Sequence, residues 1–474
     1  MNLSKKILRN VGAGAVGKAV VAIAGLATFS IMSRHLGPDG MGHYRTILSL
    51  LAVASIALDF GLQKVTLKEI AVPGSDVAGI VATAFLLRIL FSILAVLLLL
   101  AAILKTPIDD GLLTGVAVGG VGWIAYQLSE LAVSVFQNQL RQDRAAIPEA
   151  FGALATLALV FGVALTGGNV IAMLVAAGLG WFTSATLSWR SVFATTALRW
   201  TFNPTIFRTL LRAGLPIAGS GLLMMLHLRG DTLILAATHD WTAAGLYGPA
   251  AKFYELALSM VVIFAGLLLP LLVRDGRDKA NARIQGAVTL TMLVSSFMVA
   301  ATLVHADRFV IFLAGDDYRD GGDPLRLLAI AVALAAQGYL LRFAAIARDQ
   351  QQVMLRVDLQ ANLISVLIFI ILIPQYGLLG AAAGKAMADL ITLLLSVFFL
   401  RNQVHPGLLR PIPMSATLAI GTWLSLKGLE HMGMHWMPAI VSAAAISFMV
   451  LRKTPLLAGA WDALGRTPIG SSAP

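Results

Sequence analysis

SRHLGPDGMGHYRTILSLLAVASIALDFGL, residues 33–62, decides how the rest of the chain is read. Arg34 to Tyr44 reads as a tight turn between two long apolar segments. Pro38 fixes its own φ, while Gly37, Gly40 and Gly42 tolerate positive φ, so the chain can reverse here within few residues. The second apolar segment carries a carboxylate, Asp59, about four turns in. A charge at that depth costs roughly 2.5–3.5 kcal/mol on insertion scales, so it needs a reason to be there. Two themes follow: hairpins of membrane helices, and ionisable groups placed inside them.

Composition widens the reading to the whole chain. Of 474 residues, 58 % are hydrophobic and 12 % charged, and the mean hydropathy is +0.83. Soluble domains carry about 25 % charged residues, so the chain is read as an all-α polytopic membrane protein. The apolar segments do not alternate with polar residues, which excludes a β-barrel. A net charge of +11 would suggest nucleic acid in a soluble chain; here the cytoplasmic ends of membrane segments account for most of it. The absence of cysteine excludes disulfides and thiolate chemistry. Residues 1–9 have the form of a signal n-region. The apolar run after them reaches Ser33, too long for a signal, so an uncleaved first span is expected.

Apolar runs of span length lie at about 10–33, 45–62, 79–104, 112–135, 147–166 and 170–189, then at 214–236, 244–273, 284–304, 325–347, 355–374 and 378–400. Two weaker runs follow at 412–429 and 436–451, giving about fourteen spans. With the N-terminus inside, the inner connections and tails hold about 22 Lys and Arg against about 6 outside, so both termini are expected to be cytoplasmic.

Four segments result: an N-lobe at 1–190 with spans 1–6, a linker at 191–213, a C-lobe at 214–400 with spans 7–12, and 401–474 with the last two spans and a cytoplasmic tail. In the linker, Trp200, Phe202 and Phe207 interleave with Arg199, Arg208 and Arg212, as in an interfacial amphipathic segment. The anionic leaflet explains these arginines, and no nucleic-acid partner is expected. The lobes look related. Gly42-His-Tyr44 and Gly245-Leu-Tyr247 each open a span, 203 residues apart. Asn138–Asp143 pairs with Arg348–Gln352, and Leu165–Gly168 with Pro374–Gly377, at nearly the same offset. Six spans per lobe make a parallel repeat, with a cavity expected between lobes.

Arg34-x-Leu-Gly-Pro38 with Gly42-x-Tyr44, followed by Asp59-x-Gly61-Leu62, resembles the opening of the Wzx-type polysaccharide flippases. These O-antigen and lipid-linked oligosaccharide flippases belong to the multidrug/oligosaccharidyl-lipid/polysaccharide exporter superfamily. The resemblance continues through Leu211-Arg-Ala-Gly-Leu-Pro216, Gly245-x-Tyr247, Gly315-Asp-Asp-Tyr318 and Pro374-x-Tyr-Gly377-x-x-Gly380-Ala-Ala382. It implies a two-lobed fold of twelve core helices with a cavity lined chiefly by spans 1, 2, 7 and 8. It also implies that an undecaprenyl-diphosphate-linked glycan crosses the bacterial cytoplasmic (inner) membrane by alternating access. A monomer, contact with membrane lipids, and a polysaccharide polymerase or export machinery as partner belong to the same expectation.

The charges inside spans are the candidate site. Arg88 lies near the midplane of span 3. Arg229 and Asp231 lie in the outer half of span 7, and Lys252 and Glu255 in the outer half to middle of span 8. Lys385 and Asp389 are similarly placed in span 12, while Lys18, Asp59, Glu130 and Arg342 lie nearer the cytoplasm. A diphosphate that sheds water needs charge-assisted hydrogen bonds, which assigns Arg229, Lys252, Arg88, Lys385 and Lys18 to the substrate. Carboxylates at Asp59, Asp231, Glu255, Asp389 and Glu130 are the groups to carry H⁺ or Na⁺. The bland alternative is mutual pairing, as for Lys252/Glu255 at i,i+3 and Lys385/Asp389 at i,i+4. Lys18 has the further alternative of snorkelling.

His227 near Arg229 reads as packed rather than as a proton relay. His431 and His435 lack a third metal ligand other than Glu430, and no metal or other cofactor is expected. Asp316–Asp323 fails as an EF-hand, with Tyr318 at position 3 and Leu327 at position 12, and reads as a solvated acidic loop. Three rival functions remain: an ion-coupled exporter of organic cations, a lipid II flippase, and a membrane glycosyltransferase, polymerase or ligase. Basic residues in the spans are at least as numerous as acidic ones, which favours an anionic cargo over a cation. The longest outer loop, about 305–324, holds no catalytic pair, so no catalytic residue is assigned.

Overall fold

The computed structural model describes residues 3–59, 61–105, 110–139, 141–198, 203–274, 277–400, 411–431 and 435–452. Its side-chain description further omits 3–13, 15, 57, 110, 142, 216–217, 270, 274, 277–278, 351, 411–418 and 445–452. Within these limits every element is helical. They run α1 (Leu3–Asp59), α2 (Leu62–Ile70), α3 (Val77–Ile103), α4 (Asp110–Asn138), α5 (Gln142–Leu165), α6 (Val170–Phe193), α7 (Pro204–Thr238) and α8 (Trp241–Leu246). Then come α9 (Gly248–Arg274), α10 (Arg277–Ala314), a 3₁₀ turn (Asp316–Gly321), α11 (Gly322–Ile346), α12 (Gln351–Leu400), α13 (Pro411–His431) and α14 (Trp436–Arg452). The chain divides into two compact units, Met1–Gly245 and Leu246–Pro474.

Local chemistry starts several of these helices. The Asp76 carboxylate accepts from the Gly79 N–H at the head of α3, and Asn169 accepts from Ala172 at the head of α6. Asn203 accepts from Thr205 and Ile206, with Pro204 in the first helical position where no N–H is needed.

In the first unit the helix directions follow from which residues meet. Gly152 and Thr156 on α5 pack against Ser184 and Gly180 on α6, so α5 and α6 are antiparallel. Gly119 meets Leu174, and Gly122 meets Gly178, so α4 and α6 are parallel. On α1, Gly17 touches Ala146 and His35 bonds the Gly168 carbonyl, so this stretch runs parallel to α5. Later, Ile47 meets Gly115, and Ser55 accepts from the Trp123 indole, so the second stretch runs parallel to α4. The two stretches of α1 are therefore antiparallel, and the chain reverses between them.

The reversal falls on Gly37, with φ 66° and ψ −179°, a region essentially restricted to glycine. This corrects the expected eleven-residue turn: Arg34–Leu36 and Pro38–Tyr44 are helical. Gly40 and Gly42 do not take positive φ. In the second unit α12 behaves alike. Gly384 packs on Phe369, and Gly380 on the Leu372 carbonyl, whereas a straight helix would hold Phe369 and Gly384 about 22 Å apart. The break is Gly377, at φ 54° and ψ −128°.

Among the described residues nine helices are long and apolar enough to cross a membrane. A tenth is the pair Pro204–Leu215 and Ala218–Thr238, bent by 49°. Two of the ten, Val16–Ile56 and Gln352–Leu400, span 41 and 49 residues and double back, so they supply two crossings each. With α13 and α14, of 21 and 17 residues, the expected fourteen segments are present.

Three details depart from the expected layout. The connection after Asp59, expected on the inner side, contains α2, which buries Leu62, Val65, Thr66 and Ile70 and leaves Lys64 and Lys68 exposed. The expected outer loop at 305–324 is mostly helical, with a non-helical residue at His305 in α10 and a 3₁₀ turn after Gly315. The second half of the expected linker is the first turns of α7; Arg199, Trp200 and Phe202 lie outside the described residues, as do residues 401–410 and the tail beyond Arg452.

Candidate functional site

The first unit gathers charge from five helices. A Cβ built on Gly17 would lie 2.7 Å from Ala146 Cβ, so α1 and α5 approach closely there. Lys18 and Glu149 extend from that crossing, and Lys18 Nζ donates to Glu149 Oε2 at 2.5 Å. The side chains are 55 % and 34 % exposed, so the pair sits at an accessible wall rather than in the packed core.

Deeper in the unit, Asp59 at the end of α1 pairs with Arg88 on α3, both buried. Arg88 Nε donates to the Gln127 carbonyl on α4 at 3.0 Å. One guanidinium thus ties three helices together, as its fixed fork of donors allows. Glu130 follows Gln127 by three residues and lies within electrostatic reach of Glu149, Lys18 and Arg88. Tyr126 lies within reach of Glu130, Glu149, Arg88 and Arg229, the last from α7. Beside it, Trp123, Tyr126 and Trp181 form an aromatic group with centroids 4.9 to 5.8 Å apart. Asp231, buried on α7, accepts from the Thr232 N–H at 2.7 Å.

The second unit holds its own cluster. Lys385 on α12 is 2 % exposed, with Nζ 5.2 Å from the Tyr254 ring centroid and 5.7 Å from that of Phe369. The Tyr254 hydroxyl donates to Asp389 Oδ2 at 2.9 Å. Two aromatic faces and a carboxylate one helical turn away from the lysine suit a permanently held ammonium. On α9, Lys252 and Glu255 lie 3.9 Å apart, the i,i+3 pairing open to them by sequence. Arg342 pairs with Asp358 and lies over the Tyr339 ring.

Of the residues singled out by sequence, Lys18, Asp59, Arg88, Glu130 and Arg229 fall in one electrostatic neighbourhood of the first unit. Lys385 and Asp389 share a second, with Lys252 and Glu255 near Tyr254 along α9. Sequence reasoning missed Glu149, Tyr126 and Tyr254. Glu149 follows Pro148 at the head of an apolar run, where a carboxylate reads as a helix-start residue. The two tyrosines carry no formal charge to draw attention. The acidic 316–323 segment is exposed at Asp316, Asp317 and Asp320, and Asp323 pairs with Arg326. His227 is buried, as its packed reading expects.

Chemically, the first-unit cluster pairs accessible and buried cations with carboxylates inside a membrane span. Such a set can hold an anion by charge-assisted hydrogen bonds, and its carboxylates can exchange protons.

A family model described as polysaccharide biosynthesis protein matches residues 31–323. Comparison with curated proteins gives no match. Among solved structures, the chain is similar to the lipid II flippase MurJ in its inward closed conformation. The identity is 11 % and the TM-score 0.78, over 96 % of this chain and 99 % of that one. It is similar also to an inward-facing multidrug resistance MATE family transporter of the MOP superfamily, with 14 % identity and a TM-score of 0.66. That match covers 81 % of this chain and 94 % of the other. A MOP superfamily transporter from Pyrococcus furiosus, for which a reversed binding-pocket polarity suggests a different function, gives 14 % identity and a TM-score of 0.59. Here the coverage is 84 % of this chain and 95 % of that one. At these identities the likeness is one of fold.

Proposed function

Because the chain belongs to the polysaccharide biosynthesis protein family and has the MOP-superfamily transporter fold, we propose that it flips an undecaprenyl-diphosphate-linked oligosaccharide. The lipid moves from the inner to the outer leaflet of the bacterial cytoplasmic membrane by alternating access. The observation that carries this reading is that three cations, Lys18, Arg88 and Arg229, are set among carboxylates inside the spans of the first unit, with Lys18 half exposed and Arg229 within electrostatic reach of Tyr126. A diphosphate entering such a site exchanges water for ammonium and guanidinium donors. In the second unit, Lys252 is the cargo contact, while the caged Lys385 holds Tyr254 and Asp389 in place. Arg88, bound to Asp59 and Gln127, is a positioning residue.

The chain acts as a transporter rather than an enzyme, with both termini cytoplasmic. Its four segments are the N-lobe, linker, C-lobe and C-terminal pair drawn from the sequence. The energy source is an ion gradient, of H⁺ or Na⁺, acting on the carboxylates.

The test is transfer of a fluorescent undecaprenyl-diphosphate oligosaccharide in proteoliposomes, for wild type, Lys252→Ala and Arg229→Ala. Wild type is expected to move the lipid, and both folded variants to lose most of that activity. A wild type that leaves the lipid in place but expels an organic cation against a proton gradient overturns the reading. The fold match to MurJ, a lipid II flippase, keeps a second cargo in view, and lipid II added as competitor in the same vesicles separates the two.

A further inference from the structure

The Lys18–Glu149 pair differs from the buried Asp59–Arg88 pair of the first unit. Asp59 and Arg88 are buried and locked into the Gln127 carbonyl. Lys18 is half exposed and Glu149 about a third, and they pair between helices at the Gly17–Ala146 contact. Lys18 is 55 % exposed, so an anion can reach it without displacing a buried side chain. The anion must, however, displace Glu149. The freed carboxylate then faces Glu130, a like charge within electrostatic reach. With the bound anion adding negative charge beside Glu130 and a Glu149 that has lost its ammonium partner, the two carboxylates cannot both stay ionised at low cost, so one takes a proton.

We propose that a diphosphate headgroup replaces Glu149 on Lys18, and that the released Glu149, together with Glu130, takes up a proton as the anion binds. This rests on the flippase reading and gives it a coupling step. The proton comes from the aqueous phase to one carboxylate oxygen of the Glu130/Glu149 pair; an O–H bond forms and no other covalent bond changes. Binding the anion and binding the proton then favour each other, by linkage.

The surrounding groups are consistent with this assignment. From α1 comes Lys18, from α3 Arg88, from α4 Tyr126, and from α7 Arg229. On α5 itself Asp143 is held by Arg141 at 2.8 Å. The charged residue of α6, Arg190, lies in its last turn, and Lys64 and Lys68 of α2 are exposed. Arg88 is committed to Asp59, whereas Lys18, the partner of Glu149, is 55 % exposed and open to exchange.

The probe is symmetric dimethyl diphosphate, a diester whose own charge does not change near neutral pH. Its binding to the purified full chain is measured by calorimetry in two buffers of different ionisation heat, which gives the protons taken up per anion. Wild type is expected to bind with uptake of about one proton near neutral pH. Glu149→Gln removes the competitor for Lys18, so it should bind about fivefold tighter with reduced uptake. Glu130→Gln keeps the Lys18–Glu149 pair, and should bind with reduced uptake. Lys18→Ala should lose measurable binding. Binding without proton uptake overturns the proposal, as does weaker binding by folded Glu149→Gln, or no binding by wild type. If wild type flips the lipid-linked oligosaccharide but takes up no proton with the probe, this inference falls and the flippase reading stands. Uptake without lipid movement gives the converse.

Discussion

Gly42 and Gly245 meet backbone against backbone. A Cβ on Gly42 would fall 1.7 Å from the Trp241 carbonyl oxygen, and one on Gly245 would fall 1.8 Å from that of Pro38. Next to them the His43 imidazole stacks on the Trp241 indole, with centroids 4.5 Å apart. The two glycines head the matching Gly-x-Tyr pairs of the sequence, so residues that read as a repeat are also a contact between α1 and α8.

Neither glycine should tolerate a methyl group. The obstructing atoms are backbone, which cannot rotate away, so Gly42→Ala or Gly245→Ala is expected to cost about 1–3 kcal/mol or more. Thermal unfolding in detergent, followed by size-exclusion chromatography, reads this. Gly219→Ala is the control, since nothing lies within 4 Å of a Cβ there. A Gly42→Ala protein that melts with wild type would mean the close approach is dispensable.

At the two reversals the constraint is conformational instead. Gly37 and Gly377 hold backbone angles that L-residues avoid, so alanine at either is expected to cost about 1–3 kcal/mol. Space around Gly37 is open, so a loss of melting temperature in Gly37→Ala reports strain rather than a clash. An unchanged midpoint would contradict the assigned angles.

Removing one partner of the buried Asp59–Arg88 pair leaves the other charge stranded. Arg88→Leu or Asp59→Leu should each cost about 3–5 kcal/mol, and the double variant should recover part of that loss. Strictly additive losses in unfolding measurements would show that the two residues act independently.

The Tyr254 hydroxyl is the Asp389 partner from α9. Tyr254→Phe keeps the ring that faces Lys385 and deletes the donor, with an expected cost of about 1–3 kcal/mol. Lys385→Ala removes a buried charge as well, and should be the more damaging of the two. The reverse order would show that the hydrogen bond, not the caged ammonium, holds α9 to α12.

The spans and the place of both reversals were legible because apolar length and Gly-Pro or Pro-x-x-Gly punctuation are local signals. The pairing of Asp59 with Arg88, 29 positions along the chain, was not. In a bilayer the lipid-facing and protein-facing sides of a helix are both apolar, so periodicity does not say which helices touch. Small residues carry that information instead: Gly17, Gly122 and Gly152 mark the crossings, yet an isolated glycine in a helical run does not name its partner. Asp59 was singled out by its depth, whereas Glu149 was passed over beside Pro148. The amphipathic α2 was hidden inside a connection, because its nine residues are too few for a periodic pattern to stand out.

Each doubling-back of α1 and α12 is made at a single non-helical residue. Proteases bind their substrates as extended, pliable segments, and a helical corner offers neither. Those two turns should therefore stay uncut under limited proteolysis of the folded protein. Tags or cleavage sites meant to report on either turn would have to be inserted elsewhere.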